Sequence, residues 1–166
     1  MIKRSFLALL LLFTFSSAEE YLNIDADFFE ADEKKQQMYF KGNVKMTKKK
    51  DLLTSKHLLI NTEASKTDKS KQVPKDYVAT GNVKFTIYTN DNLLKGKGDK
   101  VYYYPNEQKY VIVGNGYLED KKEGKKVSAD KIYIDEKTGY SKVDSVSNKP
   151  VKFRLKLDEK KEEKSE

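Results

Sequence analysis

Met38-Tyr39-Phe40-Lys41-Gly42-Asn43-Val44-Lys45-Met46 alternates apolar and polar side chains, with a glycine in the middle of the apolar face. An alternation of period two is the signature of a half-buried strand. The pattern returns in the same phase as Ala79-Thr80-Gly81-Asn82-Val83-Lys84-Phe85-Thr86-Ile87. A third version places Tyr110, Ile112, Gly114, Gly116 and Leu118 on one face, with Val111, Val113, Asn115 and Tyr117 behind. Each Gly lies among the large residues, where a missing side chain leaves room for a bend or a close-approaching backbone.

A second element alternates with the first. It reads Ala129-Asp130-Lys131-Ile132, Gly98-Asp99-Lys100-Val101, Ser55-Lys56-His57-Leu58 and, at the start, Ala26-Asp27-Phe28-Phe29. Ala26 to Gly42 and Gly98 to Gly114 are both 16 positions, and Ala129 plus 16 reaches Ser145. Repetition at fixed offsets marks a stack of similar supersecondary units. In this element the apolar phase slips by one residue, from Val127/Ala129 to Ile132/Ile134 and from Leu53/Ser55 to Leu58/Ile60. One extra residue at that place predicts a β-bulge at which the strand bends from one sheet of a sandwich to the other. Turns are expected at Lys48 to Asp51, Asn90-Asp91-Asn92, Pro105 to Glu107, Lys121 to Gly124 and Lys137 to Gly139.

The chain ends read differently. Lys3 and Arg4, the apolar run from Phe6 to Phe15 and Ser16-Ser17-Ala18 have the form of a cleaved export leader, residues 1–18. The β domain then covers 19–157, and 158–166 is a charged tail expected to be disordered. Residues 62–75 form a polar insertion, expected as a mobile surface loop. An uncleaved leader would instead tether the domain to the inner membrane.

Composition narrows the function. The net charge is +7, two of it in the leader, and 36% of residues are charged. For an exported chain such a surface suits anionic lipid or phosphorylated glycolipid rather than nucleic acid. There is no Cys and a single His, so neither a thiol nucleophile nor a zinc site is available. His57 occupies the position that Lys100 and Lys131 hold elsewhere, which makes it a repeat variant and not a base. Asp27, Asp99 and Asp130 recur at one position, which favours a turn role bonding local backbone N–H groups over catalysis or metal binding. No helix follows the Gly-Asn tripeptides, so they are not phosphate loops. The residues point to a non-enzymatic protein without cofactor or metal, having a polar exterior around an apolar interior. Phe40, Val44, Met46, Val83, Phe85, Ile87, Tyr110, Ile112 and Leu118 form that interior, either as closed core or as the lining of an apolar groove.

Taken in order, Ile24-Asp25-Ala26-Asp27, Phe40-Lys41-Gly42-Asn43-Val44, Ala79-Thr80-Gly81-Asn82-Val83, Gly114-Asn115-Gly116-Tyr117-Leu118 and Ala129-Asp130-Lys131-Ile132 resemble the LptA/OstA family. The likeness covers about residues 22 to 155 and departs at the 62–75 insertion and at Ser55-Lys56-His57. The resemblance implies an all-β, half-open antiparallel β-jellyroll built from repeated strand pairs. It implies a periplasmic carrier of lipopolysaccharide, whose lipid A acyl chains enter a groove lined by the nine residues above. As partners it implies an inner-membrane LptC-like subunit, an outer-membrane LptD-like translocon and further copies joined head to tail. A membrane-anchored LptC-like subunit and a structural envelope scaffold with a closed core are the alternative readings.

Overall fold

The computed structural model describes residues 20–88, 92–146 and 148–157. The expected leader, the tail and most of the turn at Asn90-Asp91-Asn92 lie outside the described residues. The strands are β1 (Leu22–Asp25), β2 (Phe28–Asp32), β3 (Gln37–Lys48), β4 (Asp51–Ala64), β5 (Gln72–Tyr88), β6 (Leu93–Tyr104), β7 (Lys109–Asp120), β8 (Lys125–Asp135), β9 (Tyr140–Asp144) and β10 (Lys152–Arg154). They form a single antiparallel sheet in which β3 to β8 follow one another as hairpins. β1 and β2 pair with opposite halves of β3, and β9 and β10 with opposite halves of β8.

One line of irregularities crosses the whole sheet and divides it into two leaves. Register shifts fall between Lys41/Val44, Thr54/His57, Thr80/Val83, Lys97/Lys100 and Val113/Gly116. These lie where the apolar phase slips, so the bend is where the sequence predicts it. The extra residue, however, belongs to the partner strand. β3 advances from Lys41 to Val44 while β4 moves only from His57 to Ser55. The same holds for β5 and β7, so the bulges sit in the Gly-Asn strands and not in the Asp-Lys strands.

The Gly-Asn pair makes that bulge possible. Gly42, Gly81 and Gly114 have φ of 79°, 85° and 75°, and Asn43, Asn82 and Asn115 have φ of 45°, 49° and 46°. Two successive residues in left-handed space are tolerable only when the first is Gly and the second a type such as Asn. The Asp of the neighbouring strand then locks the corner. Asn43 Nδ2 donates to Asp27 Oδ2 (2.9 Å) and Asn115 Nδ2 to Asp99 Oδ2 (2.8 Å). Asp130 Oδ2 accepts the backbone N–H of Val146 (3.0 Å). Each bond spans 16 positions, which accounts for the repeat offset. The Asp role is structural, but it bridges strands to a side-chain amide at two of the three corners, where local backbone capping is expected from the sequence. A Cβ on Gly42 or Gly114 would collide with that same carboxylate.

The 62–75 insertion also differs from expectation. It lengthens the β4/β5 hairpin, with Thr62↔Pro74, Glu63↔Val73 and Ala64↔Gln72 paired, and only Ser65 to Lys71 connect the strands. Asn61 donates to Asp76 (2.6 Å) and accepts from Gln37 (3.0 Å), tying the extension to β3.

Candidate functional site: an apolar wedge between the leaves

Cross-strand registers arrange the interior in rows of increasing distance from the corner. One leaf carries Phe40, Leu58, Ala79, Val101, Ile112 and Ile132 nearest the corner. Its next row is Met38, Ile60, Tyr77, Tyr103, Tyr110 and Ile134, and we refer to it as the tyrosine leaf. The opposing glycine leaf begins with Val44, Ser55, Val83, Gly98, Gly116 and Ala129. Met46, Leu53, Phe85, Gly96, Leu118 and Val127 follow. Lys48, Asp51, Ile87, Leu94, Asp120 and Lys125 form its rim.

Small residues near the corner let the leaves close there. Ile112 Cγ2 occupies the space a Cβ on Gly98 would need, 2.6 Å away. Val44, Leu58, Ile60, Val83, Ile112 and Ile132 are each 1% exposed or less, so this half of the interior is dry and filled. Farther out the leaves diverge around a cavity of about 170 Å³. Its lining includes Leu22, Met46, Leu53, Tyr77, Phe85, Ile87, Tyr103 and Tyr110, with Lys48 and Asp51 at the mouth.

Of the nine sequence-predicted interior residues, Met46, Phe85, Ile87 and Tyr110 line this cavity. Val44, Val83 and Ile112 belong to the sealed core, with Phe40 and Leu118 packed against it. Leu53, Tyr77 and Tyr103 also line the cavity and are missing from the nine. Stepping the β5 alternation back by two from Ala79 reaches Tyr77, and the phase of Val101 reaches Tyr103. The signal was present in both cases.

The cavity presents a cluster of aromatic surface. Tyr103 stacks on Tyr110 with centroids 4.4 Å apart, and Tyr77 lies 5.8 Å from Tyr103. Burial pushes the Tyr77 phenol up to about 12, with the neighbouring Tyr103 adding to it. Burial raises Tyr110 as well, and both stay neutral at physiological pH. Glu136 is held above the usual carboxylate range, chiefly by burial and then by the charge of Asp51. His57 Nδ1 lies 2.8 Å from the Tyr39 hydroxyl on the outer face, away from the cavity. Among the described residues, no group of three or more His, Asp or Glu converges on a point that could hold a metal.

Among solved structures, the chain is similar to LptH of Pseudomonas aeruginosa, the LptA-homologous periplasmic component of a lipopolysaccharide transport device. The TM-score is 0.66 at 14% identity, over 84% of this chain and 96% of that one. At that identity the likeness is one of fold, a half-open antiparallel jellyroll. No curated protein sequence matches the chain. The family described as LptA/(LptD N-terminal domain) LPS transport protein matches residues 23–140, most of the folded region, and the chain belongs to that family.

Proposed function

We propose that the protein is a non-enzymatic periplasmic carrier that passes lipopolysaccharide from the inner toward the outer membrane along the wedge between its leaves. The observation that carries this reading is the apolar cavity that opens away from the corner in a member of a lipopolysaccharide transport family. Burial of an acyl chain is worth about 0.8 kcal/mol per CH₂, so several chains exposed to water would cost tens of kcal/mol. A continuous apolar trough removes that barrier without chemistry. At about 170 Å³ the cavity is smaller than the ~300–1,000 Å³ of common ligand sites, so acyl chains enter as the leaf tips part about the corner. The bonds tying neighbouring hairpin tips run within one leaf, such as Thr62 N–H to Gln36 O and Glu136 N–H to Gln108 O, and do not resist that motion.

The same reading assigns residues 1–18 to a cleaved export leader. It places an inner-membrane LptC-like subunit and an outer-membrane LptD-like translocon at the two ends. β1, β2, β9 and β10 each pair on one side only among the described residues, leaving edges to which a further copy can add strands head to tail. Phe28, Phe29, Tyr140 and Phe153 on these strands are 49%, 56%, 56% and 63% exposed.

A photo-crosslinking residue at Phe85 or Ile87 tests the assignment in cells. Adducts with lipopolysaccharide are expected there and not at Lys84, which points outward from the same strand. Adducts confined to Lys84 refute the trough, and the absence of any adduct, with a fully closed interior in solution, leaves a structural scaffold.

A further inference from the structure

The exteriors of the two leaves are unlike. On the glycine leaf the outward row reads Lys45, Thr54, Lys84, Lys97, Tyr117 and Ser128, as expected where an antiparallel sheet meets water. On the tyrosine leaf the outward row is Tyr39, Leu59, Val78, Tyr102, Val111 and Tyr133, each the cross-strand neighbour of the next. All six are half-buried and face away from the wedge. This corrects the polar exterior expected from sequence. Six strands at about 4.8 Å spacing make the stripe roughly 24 Å long.

The stripe ends in charged neighbours, Glu30 beside Tyr39 and Lys142 beside Tyr133, and its two long sides differ in charge. On its corner side lie Lys41, Lys100 and Lys131, and among the described residues none is held in an ion pair. Asp144, the strand neighbour of Lys131, is instead engaged by Lys142 at 3.0 Å. Lys100 Nζ lies 4.7 Å from the Tyr102 ring centroid, so cation and aromatic form one surface. His57 shares the row, bonded to Tyr39. Phe28, 49% exposed, stands beside Lys41 where the row ends. On the tip side lie Asp76, Lys109 and Asp135. There Asp76 accepts from Asn61, Asp135 from the Thr138 N–H, and Lys109 binds Glu107.

We propose that this outer face of the tyrosine leaf docks on the surface of a bilayer rich in anionic phospholipid. Tyrosine is the side chain that settles at headgroup level, its ring among the acyl glycerols and its hydroxyl in water. Uncommitted lysines beside it gain attraction from lipid phosphates, each contributing about a fivefold increase in affinity. The acids on the tip side are already satisfied and would be repelled by phosphate, so the corner edge of the stripe approaches the membrane first. The docked face is the reverse of the cavity, so the wedge stays unobstructed while the protein rests on a leaflet.

The chain contains no Trp, so a single introduced Trp reports local water exclusion. Residues 19–166, which carry all ten described strands, are mixed with vesicles of phosphatidylglycerol in phosphatidylcholine, containing no lipopolysaccharide. Occupancy of the wedge therefore does not enter the readout, and failure here leaves the carrier function untouched. Emission from Tyr102→Trp is expected to shift to the blue on vesicle addition, and that from Tyr117→Trp on the other exterior is not. Pure phosphatidylcholine should produce no shift. The triple change Lys41→Glu, Lys100→Glu, Lys131→Glu should weaken flotation with the vesicles more than tenfold, while Lys84→Glu with Lys97→Glu leaves it within twofold. Equal shifts at both Trp positions, or flotation unaffected by the triple change, overturn the proposal. A Tyr102→Trp shift that depends on protein concentration without vesicles also overturns it, in favour of a second copy of the chain on this face.

Discussion

The corner half of the interior and its mouth are made from the same hairpins, yet one is sealed and the other open. Next to the corner, Val44, Val83, Gly98 and Gly116 face Leu58, Ile112 and Ile132, and small residues on one leaf receive branched ones from the other. Toward the mouth, Met46, Phe85 and Leu118 face Tyr77, Tyr103 and Tyr110, and large residues on both leaves hold them apart. The sealed and the open parts of the interior are thus separated by depth in a single wedge. The dry end anchors the fold through shape, and the wide end can change its spacing without breaking a backbone ladder.

Truncation at the two ends should break or confirm that division. Ile112→Ala removes a fully buried side chain from the sealed end and is expected to cost about 2–5 kcal/mol. Ile87→Ala, at the rim, should cost about 1 kcal/mol or less. Urea midpoints measured for the two variants decide the matter, and comparable losses would mean that the whole interior is one core. The corner comes next in size. Gly114→Ala forces a Cβ into left-handed space and against the Asp99 carboxylate, with an expected cost of about 1–3 kcal/mol. Adding Asp99→Ala should recover part of that loss by removing the collision, although the Asn115 bond goes with it. A double variant no more stable than Gly114→Ala alone would assign the cost to backbone strain only.

Strand placement and the line of the corner were legible in the sequence because period-two alternation reports which face a residue takes. Which strand holds the bulge was not. Phe40 and Val44 are four apart, an even spacing that hides the extra residue, whereas the odd step from Ser55 to Leu58 displays the slip on the unbulged partner. Depth in the wedge was equally hidden. Alternation puts Ile112 and Tyr110 on one face but does not say that Ile112 meets Gly98 while Tyr110 borders a cavity. The outer stripe escaped for a third reason. Tyr102-Tyr103-Tyr104 has no contrast between faces, and Val111 reads as the back of a strand until its neighbours across β6 and β8 are known to be Tyr102 and Tyr133.

The smallest effect expected tests whether the mouth excludes water in the absence of lipid. Phenols titrate near 10 in an unfolded chain, whereas burial moves Tyr77 to about 12 and Tyr110 in the same direction. Above pH 10 the unfolded chain therefore loses protons that the folded chain keeps. Stability must then fall as pH rises toward 12, while below pH 10 these groups contribute no pH dependence. Urea midpoints at pH 9 and pH 11 should differ less in the Tyr77→Phe, Tyr110→Phe double variant than in the unmodified protein. Tyr140→Phe, at an exposed edge, serves as the control. An alkaline loss that survives the double replacement would have to originate outside the cavity, in Tyr104, whose phenol burial also raises, or in the surface lysines. The tyrosine row would then be hydrated, and the open end would be a wet cleft instead of an apolar one.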